Sequence, residues 1–215
     1  MWVNHGSDHG LENNINRTIQ IYGSLELEGF TIKNTRGVTV NGDFSNNIIS
    51  IRKCIFINNT GSKGAAIFSN ALNGMLNISN CTFINNIPAA GGNGPIFLQN
   101  SNASIINNII WDNYPIEGLD TVNFNNIVKY NILKNESNWK QIDSTQGNIS
   151  DDPLFLNESE NNFNLTFYSP AIDAGDPNYP KDPDGTRADI GALYFDKRDN
   201  QPPTVAFTSN ALNDK

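Results

Sequence analysis

The sequence predicts an all-β fold, a parallel β-helix with an irregular C-terminal cap, and three observations carry that prediction. First, one block returns every 24 to 27 residues: Gly29-Phe30-Thr31-Ile32-Lys33-Asn34, Lys53-Cys54-Ile55-Phe56-Ile57-Asn58-Asn59, Asn80-Cys81-Thr82-Phe83-Ile84-Asn85-Asn86 and Asn107-Asn108-Ile109-Ile110-Trp111-Asp112-Asn113. A fixed period of this length marks stacked units that bury a common core. Second, apolar and polar residues alternate within each copy, as in Leu25-Glu26-Leu27-Glu28 and Ile49-Ser50-Ile51-Arg52. That is the period of a strand with one buried face. Third, no helical periodicity separates the copies, which excludes barrels and doubly wound sheets of alternating strands and helices. An antiparallel sandwich also has short strands, but it gives no reason for identical columns at this period.

Residues 1–18 read as an N-terminal segment or incomplete rung, and residues 19–135 as the rungs. Alignment gives one apolar column of Leu27, Ile51, Ile78 and Ile105 and another of Ile32, Phe56, Phe83 and Ile110. Between them run Phe30, Cys54, Cys81 and Asn108, just after a corner at Gly29, Lys53, Asn80 and Asn107. Stacked strands lie about 4.8 Å apart, so Cys54 and Cys81 are neighbours. Their side chains point the same way, which strains a disulfide, and both are read as small apolar core residues. A second corner carries Asn34, Asn58, Asn85 and Asp112, with Asn59, Asn86 and Asn113 beside them. Such a column can satisfy turn backbone groups rung after rung; the competing reading is a row of sugar-binding amides.

The loops Thr60–Gly64 and Ile87–Gly94 fall at the same place in successive turns, each before an apolar strand, and a solenoid builds its binding surface from such loops. A last turn spans Ile127–Leu133. Residues 136–195 form the expected cap, because an open end would expose strand edges and core. Residues 196–215 read as a linker and the start of a truncated following module.

With 37 asparagines among 215 residues, the composition favours sharp corners over helices, since Asn tolerates left-handed geometry. The many Asn-x-Ser/Thr triplets follow from that abundance and are not read as glycosylation sites. The formal net charge of −8, without a Lys/Arg cluster, argues against nucleic acid and anionic membranes. No apolar run reaches membrane-spanning length, so no membrane insertion by this segment is expected, and a monomer is the expected state. Met1-Trp2-Val3-Asn4-His5-Gly6 lacks the basic start and apolar stretch of a signal peptide. Because the first rung is already in progress near Ile19, a fragment of a longer secreted chain is expected.

Phe56-Ile57-Asn58-Asn59 and Phe83-Ile84-Asn85-Asn86 resemble the FxxN element of polymorphic outer-membrane-protein repeats, and Gly64-Ala65-Ala66-Ile67 is similar to their GGAI element. The tail resembles the C-terminal region of bacterial choice-of-anchor Q β-helix proteins, which are pectin-lyase-like. The matching stretches are Asn108–Asn113, Gly147–Phe155, Ser169–Asp176 and Asp182–Ala192. The resemblance covers roughly residues 19 to 195. It implies a right-handed β-helix in an extracellular or cell-surface bacterial protein, often of undefined activity.

Asp173, Asp176, Asp182, Asp184 and Asp189 form an acidic cluster, and Asp182-x-Asp184-Gly185 spaces two carboxylates before a turn glycine as hard-cation loops do. Calcium is the candidate ion on Asp176, Asp182, Asp184 and Asp189. The competing reading is an Asp/Gly/Pro turn that orders the cap through side-chain-to-backbone bonds and an Arg187–Asp pair. His5 and His9 echo the His-Gly motif of β-helix pectin hydrolases, but the partner motifs are missing and terminal exposure is the simpler reading. A polysaccharide lyase needs a Lys or Arg base and a positive group for the developing charge. Arg52 and Lys53 are the paired bases inside a rung; the competing reading is solvated surface charge. Trp111, Tyr114 and Trp139 are the candidate sugar contacts, expected as exposed aromatics that stack on a ring face.

The function expected from the sequence is adhesion or glycan recognition, with a polysaccharide or cell-surface glycan as partner and no chemistry of its own. The alternative is the end piece of a polysaccharide lyase or glycoside hydrolase whose catalytic rungs lie upstream. A structural spacer that projects another module is a third class.

Overall fold

A computed structural model describes residues 19–43, 48–61, 63–72, 74–89, 94–113, 126–134 and 144–198. The chain coils in rungs of three short strands. The first rung is β1 (Ile19–Ile21), β2 (Leu25–Glu28) and β3 (Thr31–Lys33). Then come β4 (Val38–Asp43), β5 (Ile48–Arg52) and β6 (Ile55–Ile57), followed by β7 (Ile67–Leu72), β8 (Met75–Ser79) and β9 (Thr82–Ile84). The next rung is β10 (Ile96–Leu98), β11 (Asn102–Ile106) and β12 (Ile109–Trp111), and the last strands of the coil are β13 (Ile127–Lys129) and β14 (Ile132–Leu133). Corresponding strands pair in parallel, giving three sheets ordered β1-β4-β7-β10, β2-β5-β8-β11-β13 and β3-β6-β9-β12-β14. The chain is thus a nearly all-β parallel solenoid, with no α-helix among the described residues.

The registers reproduce the expected columns. Leu27, Ile51, Ile78 and Ile105 pair in sequence, and so do Ile32, Phe56, Phe83 and Ile110. These residues are buried, and Phe56 stacks on Phe83 with ring centroids 4.8 Å apart. The corner between the second and third sheets is a single left-handed residue in every rung: Gly29, Lys53, Asn80, Asn107 and Tyr130. Lys53 and Tyr130 adopt it at a steric cost that Gly and Asn largely avoid.

The two asparagine columns do different work. Asn34, Asn58, Asn85 and Asp112 supply the left-handed turn after the third sheet, with φ of 51° to 56°. The three asparagines among them turn their side chains to solvent, so this column is not the hydrogen-bonded ladder. Asn59, Asn86 and Asn113 are buried and carry it. Asn59 Nδ2 donates to Asn86 Oδ1 at 2.9 Å, and Asn86 Nδ2 to Asn113 Oδ1 at 2.9 Å. Each acceptor oxygen also takes the backbone N–H of the preceding rung's asparagine. A second ladder, Asn108–Asn131–Asn148, lines the other corner. In earlier rungs Cys54 and Cys81 fill that slot as free, buried thiols, each donating to the carbonyl two residues back at 3.3 Å. Phe30, aligned with them in the sequence, lies on the first described rung and is 54% exposed.

The C-terminal region both ends and flanks the coil. Residues 146–149 lie across the last rung: Tyr130 N–H donates to the Gln146 carbonyl at 3.0 Å and Leu133 N–H to that of Ile149 at 2.9 Å. These residues extend the parallel ladder one step beyond the last rung. The remainder, with the antiparallel pair β15 (Phe155–Asn157) and β16 (Asn162–Leu165), does not sit over the end. It packs on the outer face of the third sheet, where Ile57, Ile84, Ile109, Trp111 and Ile132 join Phe155, Phe163, Leu165, Ala171, Ile190 and Phe195 in a second core. Each large side chain buried there contributes roughly 2 kcal/mol. Gly191 permits the close approach: a Cβ on it would lie 2.7 Å from Ile109 Cδ1. Its N–H donates to the Asn107 carbonyl at 2.8 Å.

Candidate functional site

With the third sheet covered, the outer face of the second sheet remains as a long surface built by the rungs. Alternation sends every second residue of β2, β5, β8, β11 and β13 outward. Pairing aligns these into three rows along the coil: Ile48, Met75, Asn102; then Glu26, Ser50, Asn77, Ser104, Ile127; then Glu28, Arg52, Ser79, Ile106, Lys129. Within the middle row, Ser50, Asn77 and Ser104 form a low floor of small hydroxyl and amide side chains between Glu26 and Ile127. Ile48 and Met75 give one margin an apolar character. The other margin is raised by Tyr179, whose hydroxyl lies 2.7 Å from Ser79 Oγ, and by Lys129. The result is a shallow trough open to solvent, and at its first rung Ser24, Leu25, Glu26, Ile48 and Ser50 line an open depression of about 370 Å³.

Charges on this face are matched within the chain. Arg52 Nη2 lies 2.6 Å from Glu26 and 2.9 Å from Glu28, and Lys53 Nζ lies 3.4 Å from Glu28. Lys129 Nζ lies 2.6 Å from Asp176. Burial opposes the charge on Asp176, but Lys129 and the bonds from Asn178 outweigh it and hold the carboxyl below its usual range. Arg52 and Lys53, the candidate bases, are therefore engaged by carboxylates on neighbouring strands.

Of the four candidate calcium ligands, Asp176 faces Lys129 of the coil, and Asp182, Asp184 and Asp189 accept hydrogen bonds within the flanking segment. Asp182 Oδ2 accepts the Asp189 N–H at 2.7 Å, and Asp184 Oδ1 accepts from Thr186 N–H and Oγ1. Asp189 accepts the N–H groups of Asp173 and Phe195, each at 2.7 Å. Burial nonetheless pushes Asp189 up to about 6, with Asp182 and Asp173 adding repulsion. Among the described residues, no three of His, Cys, Asp and Glu gather as a metal site. The expected Arg187–Asp pair is replaced: Arg187 donates to the carbonyls of Gly175 and Ala174 and packs against the Tyr130 ring. Loop carbonyls reach its guanidinium where no carboxylate of the described residues does.

Trp111 is not the exposed aromatic that was expected. It is 9% exposed, because the C-terminal segment covers its strand. Tyr114, Trp139, His5 and His9 lie outside the described residues. Sequence reasoning passed over Ser50, Asn77 and Ser104, whose signal was their outward place in aligned strands. It also passed over Phe68 and Phe97, which stack at 5.9 Å on the outer face of the first sheet. Compared with protein-family models, curated proteins and solved structures, the chain has no significant match.

Proposed function

We propose that this chain is a segment of a secreted or cell-surface protein that recognises glycans for adhesion. One observation carries the reading: Ser50, Asn77 and Ser104 stand in register along the trough floor, beside the apolar Ile48 and Met75. A sugar offers hydroxyls in one direction and C–H faces in another. Side chains that both donate and accept suit the first, and apolar side chains the second. The resemblance of the repeats and tail to polymorphic outer-membrane-protein and choice-of-anchor Q sequences supports the extracellular location. The engagement of Arg52 and Lys53 by Glu26 and Glu28 supports binding without catalysis.

The test is retention of the purified protein by a panel of plant, algal and animal polysaccharides, with and without calcium. Reducing ends and unsaturated uronate absorbance are followed in parallel. Retention without product is the expected result. A metal-dependent product would replace this reading with that of a lyase or hydrolase, and no retention by any glycan would remove it.

A further inference from the structure

We infer that the trough on the second sheet takes a neutral linear polysaccharide lying along the coil, not a polyuronate or sulfated chain; this rests on the glycan reading above. The direction follows from the floor. Ser50, Asn77 and Ser104 repeat at the strand spacing of about 4.8 Å, so equivalent hydroxyl and amide groups recur along one line for an extended chain to meet in turn.

The charge class follows from how the margins are neutralised. An acidic glycan needs a cation free to meet its carboxylate or sulfate. Among the described residues, Arg52, Lys53 and Lys129 border the trough, and each faces a carboxylate of the chain itself. Arg52 sits between Glu26 and Glu28, and Lys53 also reaches Glu28. Lys129 holds Asp176, whose side chain is only 5% exposed. Asp176 is fixed further: its N–H donates to Asn107 Oδ1, and its Oδ1 accepts the Asn178 N–H. An incoming carboxylate cannot displace it without lifting the flanking segment. At the opposite end it would meet Glu26 and Glu28 first. The net charge of −8 adds a repulsive field at longer range. A neutral chain meets none of these costs, and the apolar margin of Ile48 and Met75, with Ile48 59% exposed, offers contact to its C–H faces.

The experiment is affinity electrophoresis of the whole chain through gels containing xylan, glucomannan, arabinan or mixed-linkage glucan, against gels containing polygalacturonate, alginate or heparin. Retention by a neutral polymer, unchanged between low and high salt, is expected. The Asn77→Ala/Ser104→Ala double variant, with its fold checked by circular dichroism, should bind about tenfold more weakly, as loss of two hydrogen bonds implies. The Glu26→Gln/Glu28→Gln variant should gain retention by polygalacturonate, because Arg52 is then free to meet a uronate. Salt-sensitive retention of the unaltered chain by an acidic polymer would overturn the neutral class and leave glycan recognition standing. Neutral retention indifferent to Asn77 and Ser104 would overturn the assignment to this trough. No retention in any gel would overturn both readings.

Discussion

Asn86 stands at the middle of a buried ladder in which it accepts from Asn59 N–H and Nδ2 and donates to Asn113 Oδ1 and the Phe56 carbonyl. Asn86→Ala leaves several of these groups buried without partners, at a cost of about 3 kcal/mol. Its neighbour Asn85 is exposed and only turns the chain at φ 53°. Asn85→Ala should cost about 1 kcal/mol for the left-handed backbone, and Asn85→Gly less. Urea denaturation of the three variants separates these roles, and equal midpoints for Asn86→Ala and Asn85→Ala would refute them. Asp189 gives a pH dependence whose sign follows from its raised value. Folding favours its protonated form, so the stability it contributes is full below 3.8 and is lost as pH rises to about 6. The loss is at most about 3 kcal/mol. Asp176 is shifted downward, so its contribution is kept above the usual carboxylate range and lost only at lower pH. Thermal unfolding across that window should show stability falling toward neutral pH, and Asp189→Asn should flatten the curve. A flat curve for the unaltered chain would count against the buried carboxyl.

The strands show how much could be read in advance. Columns of Ile, Leu and Phe at a constant period forced the stacked registers, because a slip of one residue would turn every apolar side chain outward. The flank was also written in the chain. Ile55-Phe56-Ile57 and Ile109-Ile110-Trp111 are apolar at every position, as strands buried on both faces are, whereas Thr31-Ile32-Lys33 alternates and its outer face is exposed. The inward column alone does not reveal this, and on that column Trp111 reads as a surface aromatic. The trough was harder to see, since Ser50, Asn77 and Ser104 form no motif and share only an outward place in paired strands. Placing Trp111 in the second core makes a prediction for its element. Trp111→Ala should cost about 3 kcal/mol by cavity formation and leave glycan retention per folded molecule unchanged, because the trough lies on another sheet. Weaker retention by a fully folded Trp111→Ala variant would return the residue to the binding surface.

At the scale of the whole molecule, the two cores share one sheet. Strands β6, β9 and β12 direct Phe56, Phe83 and Ile110 into the coil, and Ile57, Ile84, Ile109 and Trp111 out against the C-terminal segment. Polar bonds run across the same seam: Asn80 Nδ2 to the Asp189 carbonyl at 3.0 Å, Ala192 N–H to Thr82 Oγ1 at 3.0 Å, and Lys129 to Asp176. A solenoid alone has stability that is nearly a sum over neighbouring rungs, and it can unravel from its ends. A segment laid along several rungs at once changes that, because it loses its own core if any rung beneath it opens. Rungs and flank should therefore unfold together, in one calorimetric transition whose enthalpy equals the van't Hoff value. Asp176→Ala, which removes a tie between them and leaves Lys129 facing the seam unpaired, should lower the transition temperature without splitting the peak. Two resolved transitions, or early loss of hydrogen-exchange protection in residues 150–197 while β5, β8 and β11 stay protected, would show that the flank is a separate folding unit.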